Sequence, residues 1–411
     1  MSFYDTRETR DHAERERELC ARLPAQIAHA QASAPAFAGL LAGVDPGTVT
    51  SREALARLPV IRKSELLERQ KQARPFGGFA AVRWGPDCRR VFASPGPLYE
   101  PEGARPDYYR LARALHAAGF RAGDLVHNTF SYHFTPAGAM METAAHALGC
   151  TVFPAGTGQT EQQLAAIADL QPNAYVGTPS FLRILLDKAA EAGLGMSLRK
   201  AFVSGEAFPP GLREQFAAAG ITASQAYATA DIGLIAYETP GGEGMVVDED
   251  ILLEIVRPGT GEPVAPGEVG EVVVTTFNPD YPLIRFGTGD LSALLPGVSP
   301  CGRTNLRIRG WMGRADQTTK VKGMFVHPGQ IAEVVRRHPA LERARLVVDN
   351  PQLTDRMTLM CEVAGGGSEA LAESIAASLR ELTKLRGEVA FLALGTLAND
   401  GKVIDDVRRY D

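Results

Sequence analysis

Between residues 107 and 205 the spacing of apolar positions changes repeatedly along the chain. YYRLARALHAAGF repeats its apolar residues at helical spacing, DLVHNTF is a short apolar run, GAMMETAAHALG returns to helical spacing, and CTVFP is again strand-like. The helix EQQLAAIADLQ, the strand AYVGT, the helix PSFLRILLDKAAEAG and the strand KAFVSG continue the alternation. Strands and helices alternating at these lengths predict a parallel sheet wrapped by helices.

The pattern then turns β-rich. VVDEDILLEIVRP, GEVGEVVVTTF and LSALLPG are separated by Gly and Pro turns and predict a small antiparallel sheet or barrel-like part. Residues 305–330 are strand-like and glycine-punctuated. Beyond them IAEVVRRHP, ARLVVDN, MTLMCEV and ALAESIAASLRELTKL alternate again, which predicts a separate small α+β domain. Upstream, residues 1 to about 75 read as charge-rich helices broken by Pro24, Pro35, Pro46 and Pro59, a packing leader. The expected architecture is α/β, with a large N-terminal domain (1–315) and a small C-terminal α+β domain (316–411). A length of 411 residues also exceeds what one ordinary core supports.

Composition narrows the function. At 45% hydrophobic and 22% charged residues the chain is globular in character, and its net charge of -5 gives no footprint for nucleic acid. The charged N-terminus and the lack of any run of 18 apolar residues point to a cytoplasmic protein with no membrane span. Five widely spaced cysteines, with no CxxC pair, carry neither a disulfide framework nor a zinc ribbon. The spacing of His133, Cys301 and His327 fits no compact metal-ligand pattern. Small molecules are the expected partners.

Candidate chemistry begins at YPLIRFGTGDLSAL, residues 281–294, read as a β-rich run ending in a Gly287-Thr288-Gly289-Asp290 turn. Glycines let a backbone approach a ligand closely, and one fixed carboxylate there accepts both hydroxyls of a ribose. CGRTNLRIRGWMGRADQTTKVKGMFVHPGQIAEVV follows at residues 301–335, with FVSGEAFPP (202–210) and AYATADIGLIAYE (226–238) upstream and LANDGKVID downstream. With these motifs in this order, the chain resembles the phenylacetate-CoA ligase family of the adenylate-forming superfamily, from about residue 90 to the C-terminus.

That resemblance implies an enzyme that activates an organic acid with ATP as its acyl adenylate and then transfers the acyl group to coenzyme A. It places Ser204, Gly205 and Glu206 against adenine, Tyr227 and Ala228 beside them, and Asp290 on the ribose. Thr229 would contact the α-phosphate, and Asp231 would take the place of the family's glutamate, helping to hold Mg²⁺. Arg303 and Arg314 become nucleotide contacts, Asp316 the hinge of a mobile C-terminal domain, and Lys402 the catalytic lysine. Arg and Lys residues near 308–322 would help hold CoA, and a homodimer is implied. The aromatic stretch Phe130, Tyr132, His133 and Phe134 is suited to the walls of an aryl-acid pocket.

One stretch departs from the family. Its phosphate loop reads like Ser-Ser-Gly-Thr-Thr-Gly-Lys-Pro, whereas residues 93–101 here read ASPGPLYEP. Ser94 and Gly96 keep the pattern, Pro95 and Pro97 lack N–H donors, and Glu100 stands in place of the cation. A carboxylate about 4 Å from a phosphate charge, at an effective dielectric near 20, is repelled by about 4 kcal/mol. Either Glu100 points away, or Mg²⁺ sits between, or the site no longer takes a triphosphate well. Two alternatives therefore stand beside the CoA ligase: adenylation with another acceptor, such as a carrier protein or nucleotidyl transfer, and an AMP- or acyl-adenylate-binding protein without ATP turnover.

Overall fold

The computed structural model describes residues 2–408 except 95–97, 207, 258–259, 313–314, 316, 318, 323, 327, 352–353 and 399–401. The chain divides into two compact units, Met1–Met312 and Gly313–Asp411.

Among the described residues of the first unit, the largest sheet has nine strands. Five are parallel, in the spatial order Thr151–Phe153, Leu125–Asn128, Ala174–Gly177, Lys200–Val203 and Thr222–Thr229. The helices Ala137–Ala147, Thr160–Leu170, Pro179–Glu191 and Pro210–Ala218 make the crossovers between them. The first three lie where the helical spacing predicted them. Strand Gly233–Tyr237 then turns back antiparallel to Thr222–Thr229, and Met245–Val247, Arg307–Ile308 and Leu294–Leu295 complete the sheet.

Both faces of the parallel part are covered, because alternate side chains of a strand point to opposite sides. Ala174 and Val176 pack with Met140, Met141 and Ala144 of one helix layer. Tyr175 packs with Leu164, Ile167, Leu182 and Leu185 on the other side. Four helices thus bury two apolar faces, and the carboxyl ends of the strands are left as an edge of loops.

The β-rich region is an open sheet rather than a barrel-like part. Its strands run Ile61–Arg62, Phe286–Ser292, Gly270–Thr276 and Ile251–Val256, and no pairing among the described residues closes it. The leader covers one face, with Leu19, Leu23 and Ile27 of helix His12–Ser33 packing on Leu253, Val272 and Val274. The leader also supplies an edge strand, Ile61 and Arg62 pairing in parallel with Phe286 and Gly287.

Arg285 fixes that strand. Its side chain is 2% exposed and donates to Glu254 at 3.0 and 3.1 Å, to the Ala56 carbonyl at 2.8 Å, to the Leu58 carbonyl, and to the Gly261 carbonyl at 2.7 Å. Burial pushes the Glu254 carboxyl up and Arg285 draws it part of the way back.

The second unit is α+β. Its four-stranded sheet has the order Glu388–Leu392, Arg356–Val363, Leu341–Asp349 and Ile404–Asp406. Helices Pro328–Arg337 and Glu369–Thr383 bury Ile331, Val334, Ile375 and Leu379 against Leu346, Val348 and Leu359. No described helix in either unit is long and apolar enough to cross a membrane.

Replacing Arg285 by Ala leaves Glu254 and three carbonyls unpaired in the core. The expected cost is about 3–5 kcal/mol, read as a fall in the urea midpoint. A loss below about 1 kcal/mol would show that the leader strand does not depend on this side chain.

Candidate active site

In an open α/β sheet, ligands bind outside the carboxyl ends of the strands, near the point where strand order reverses. That reversal lies between Leu125–Asn128 and Ala174–Gly177. Ser204, Gly205 and Glu206 leave the carboxyl end of the next strand, Lys200–Val203. Gly205 has φ +86°, a left-handed conformation that favours glycine. Ser204 Oγ donates to the Ala226 carbonyl at 2.9 Å and fastens this loop to strand Thr222–Thr229. Glu206 Oε1 accepts from the Ser180 backbone N–H at 2.6 Å, capping the helix before it rather than the one after.

Tyr227 joins the two larger sheets of the first unit. Its buried phenol donates to Asp290 Oδ2 at 2.8 Å and lies 3.1 Å from Thr288 Oγ1. Asp290 Oδ1 accepts from the indole N–H of Trp311 at 3.1 Å, and Trp311 is 56% exposed. Residues 287–290 are not a turn, since all four lie within strand Phe286–Ser292. A register shift opposite Glu271 and Val273 accommodates them, and a Cβ on Gly287 would come within 2.7 Å of the Glu271 carboxylate. The glycines are there for the packing of a bulged strand as much as for a ligand.

Downstream of Tyr227, Ala228 pairs with Leu234, and Thr229 Oγ1 accepts from the Ile232 N–H at 3.2 Å. Asp231, 7% exposed, accepts from Lys63 Nζ at 3.0 Å through Oδ2. Beside it lies Glu100, 1% exposed, on the hairpin of strands Cys88–Ser94 and Leu98–Gly103. Ser94 Oγ donates to Glu100 Oε1 at 2.9 Å, and the Glu100 and Asp231 carboxyl groups are hydrogen-bonded to each other. Burial, and then the neighbouring Asp231, push the Glu100 carboxyl well above the usual carboxylate range, against the opposing pull of Lys63 and Ser94. Glu100 thus does not point into solvent.

Lys63, Tyr281 and Trp311 escape sequence reasoning. Lys63 belongs to the leader, which reads as packing, and reaches the site only because the strand before it joins the small sheet. Tyr281 precedes the glycine motif, and its fully buried hydroxyl lacks a partner among the described residues.

The other expected residues belong to other elements of the chain. Arg303 is 1% exposed, ion-paired with Glu8 at 3.2 Å and donating to Cys301 Sγ at 3.4 Å. Burial raises the Cys301 thiol, but hydrogen bonds from Ser299, Thr239 and Arg303 more than reverse this and bring it to about 7. Tyr132 sends its hydroxyl to Glu142 at 2.8 Å and receives Asn128 at 2.8 Å. His133 and Phe134 are exposed, and the Phe134 carbonyl accepts from Ala93 N–H at 2.8 Å, tying this aromatic loop to the hairpin. Lys402 belongs to the second unit, where it donates to Asp405 at 3.1 Å. Gly96, Arg314 and Asp316 lie outside the described residues.

The signature of the AMP-binding enzyme family matches residues 107–278. A phenylacetate-coenzyme A ligase of Thermus thermophilus is 31% identical over 393 residues, spanning 90% of this chain and 87% of the relative. One from Aromatoleum evansii is 32% identical over 364 residues, 83% and 80% of the two chains. Among solved structures, 2-hydroxyisobutyryl-CoA ligase in complex with 2-HIB-AMP and CoA, in its thioesterification state, superposes with a TM-score of 0.76. The match has 25% identity and covers 98% of this chain and 92% of that one. An open conformation of the same ligase, with the same ligands, gives 0.73 over 99% and 96%.

Replacing Tyr227 by Phe deletes the hydroxyl held by Asp290 and Thr288 and removes one donor from the buried Asp290 carboxylate. The expected cost is about 1–3 kcal/mol in urea unfolding. A variant as stable as the parent would show that the phenol does not hold the two sheets in register.

Proposed function

The chain belongs to the phenylacetate-CoA ligase family of AMP-binding enzymes, and from that premise we propose that it adenylates an aromatic carboxylic acid and passes the acyl group to coenzyme A. The observation that carries this reading is the carboxyl edge of the parallel sheet. The Ser204–Glu206 loop, the Tyr227–Asp231 segment and Asp290 meet there through the Ser204–Ala226 and Tyr227–Asp290 hydrogen bonds.

In the first step a carboxylate oxygen of the acid attacks the α-phosphorus of ATP, forming the acyl–oxygen–phosphorus linkage as the bond to the β-phosphate breaks and pyrophosphate leaves. In the second, the sulfur of CoA attacks the acyl carbon, the thiol proton is lost and AMP departs. Both steps concentrate negative charge on phosphoryl oxygens, which preorganised cations stabilise. In this reading Ser204, Gly205 and Glu206 face adenine, Asp290 takes the ribose hydroxyls and Thr229 the α-phosphate. Lys402, carried by the second unit, meets the charge that develops on the α-phosphoryl group. Phe130, Tyr132, His133 and Phe134 border the acid, with Tyr132 held rigid by its bonds to Asn128 and Glu142.

In this reading Asp231 would hold a Mg²⁺ ion, since its buried carboxylate is the hard oxygen ligand such a cation takes. The ion would supply neutralising charge at the phosphates. The two conformations of 2-hydroxyisobutyryl-CoA ligase with one adenylate support the expectation that the C-terminal unit moves between half-reactions.

Acid-dependent release of pyrophosphate from Mg-ATP, without any thiol, is the direct test. A panel of aryl and short alkyl acids is expected to favour the aryl class, and Lys402→Ala is expected to lower the rate by about a hundredfold or more. If no acid supports release while AMP still binds, the protein is an adenylate-binding one without ATP turnover, in keeping with its altered phosphate loop.

Nucleotide binding has an optical readout. Ribose hydroxyls arriving at Asp290 would change the surroundings of the Trp311 indole, so AMP is expected to change the fluorescence of a Trp84→Phe variant, in which Trp311 is the remaining tryptophan. AMP that binds this variant, as measured by calorimetry, without altering its emission would remove Asp290 from the ribose.

A further inference from the structure

We propose that the turn of residues 83–90 binds the nucleotide end of coenzyme A, with Trp84 stacking on the adenine and Arg83 and Arg89 taking the phosphates. This rests on the reading above for CoA as the acceptor, and it gives a role to a stretch that the adenylation step leaves unused.

A tight reversal of the chain sets the place. Gly85 and Cys88 form an antiparallel bridge, and the Cys88 N–H donates to the Gly85 carbonyl at 3.2 Å, so Arg83 and Trp84 enter where Arg89 and Arg90 leave. Trp84 is 66% exposed, and its ring lies 5.6 Å from that of the buried Phe76, tilted by 54°. The indole is anchored on one side while most of its surface meets solvent, which is how an aromatic platform for a base is built. Arg89 is the extra residue of a bulge, between Cys88 paired with Gly103 and Arg90 paired with Glu102, and bulges re-aim side chains. Arg90 donates to both oxygens of Glu102 at 2.8 and 3.0 Å and neutralises the carboxylate that Arg89 also feels. Arg83 and Arg89 are exposed, and the one acidic residue from 83 to 90 is Asp87. The turn is thus net positive in a chain whose net charge is -5.

Charge and shape identify the ligand. Guanidinium forks take phosphate oxygens in pairs, and an exposed indole takes the face of a base. A ligand that satisfies both carries phosphates and a purine, and of the proposed reactants ATP and CoA do. The ATP phosphates belong at Thr229 and Asp231 in the reading above, whereas CoA carries its own, including one on the ribose 3′ oxygen, at the end remote from its thiol. The strand that follows the turn provides this separation. Along Cys88–Ser94, Phe92 and Ser94 are buried, while Val91, which alternates with them, is exposed. The Ala93 N–H reaches the carbonyl of Phe134, whose ring is exposed. From Arg89 to Ala93 the strand runs about 13 Å, at about 3.3 Å per residue. An apolar strip therefore leads from the basic turn to the aromatic loop that borders the acid, and along it the pantetheine arm lies.

Calorimetry on the full chain with CoA, and with dephospho-CoA, which lacks the 3′-phosphate, tests this. The wild type is expected to bind CoA about tenfold or more tighter than dephospho-CoA, and Arg89→Ala and Trp84→Ala are each expected to weaken CoA about tenfold. Trp84→Tyr, which keeps an aromatic face, is expected to recover most of the affinity. Thermal melting establishes that each variant is folded, and should one fail to fold, the other carries the comparison. The proposal is overturned if the wild type binds no CoA up to a concentration on the order of 1 mM, if it binds dephospho-CoA as tightly as CoA, or if either folded alanine variant binds CoA as the wild type does. Acid-dependent pyrophosphate release by the wild type separates the two ideas. Release together with CoA binding that ignores Trp84 and Arg89 sinks this site and keeps the adenylating enzyme. CoA binding that needs both residues, in a protein releasing no pyrophosphate with any acid, keeps the site and sinks the ligase.

Discussion

The buried guanidinium of Arg285 is the constraint on which the first unit depends. It draws carbonyls from the leader, a carboxylate from strand Ile251–Val256 and the Gly261 carbonyl onto one charge. An arginine this deep is stable only when its donors are matched, and here both the fork of Glu254 and the carbonyls match it. Its own carbonyl accepts from Ile61 N–H at 3.0 Å, which starts the short parallel pairing of the leader with strand Phe286–Ser292. Lys63 follows that pairing and Asp290 lies farther along the same strand, so one side chain far from solvent sets where a cation and a carboxylate of the site arrive.

The ligand-facing parts have a common logic. Strands of a parallel sheet present their carboxyl ends to one edge, where short loops carry Glu206 and Asp231 and the end of strand Thr222–Thr229 carries Tyr227. Each is held by a contact outside its own segment: Glu206 by a helix N-terminus, Tyr227 by the second sheet, Asp231 by the leader. Fixed polar groups at such an edge cost little reorganisation when charge develops on a ligand. The hairpin of residues 88–103 joins the same region through Glu100, which makes it an internal electrostatic element rather than a loop offering backbone N–H groups.

Where periodicity was strong, the fold was legible in the sequence. DLVHNTF, AYVGT and KAFVSG are strands, and the helical runs between them are the crossovers, because local spacing and burial on both faces demand the same assignment. Less legible were features set by contacts distant in sequence. Gly287 to Asp290 reads as a turn by composition but lies in a bulged strand, since Glu271 and Val60 crowd any side chain at Gly287. Arg303 looks like a phosphate ligand by residue type but is consumed by Glu8, a partner almost three hundred residues earlier. Lys63 carries no local signal at all. Tyr227 and Asp290 were visible as motif residues, whereas the hydrogen bond that pairs them belongs to tertiary structure.

The indole N–H on Asp290 changes what affinity at that carboxylate can mean. In the proposed reading, a ribose hydroxyl meets at Oδ1 an acceptor already partly satisfied by Trp311, so its gain is weighed against a hydrogen bond the protein makes with itself.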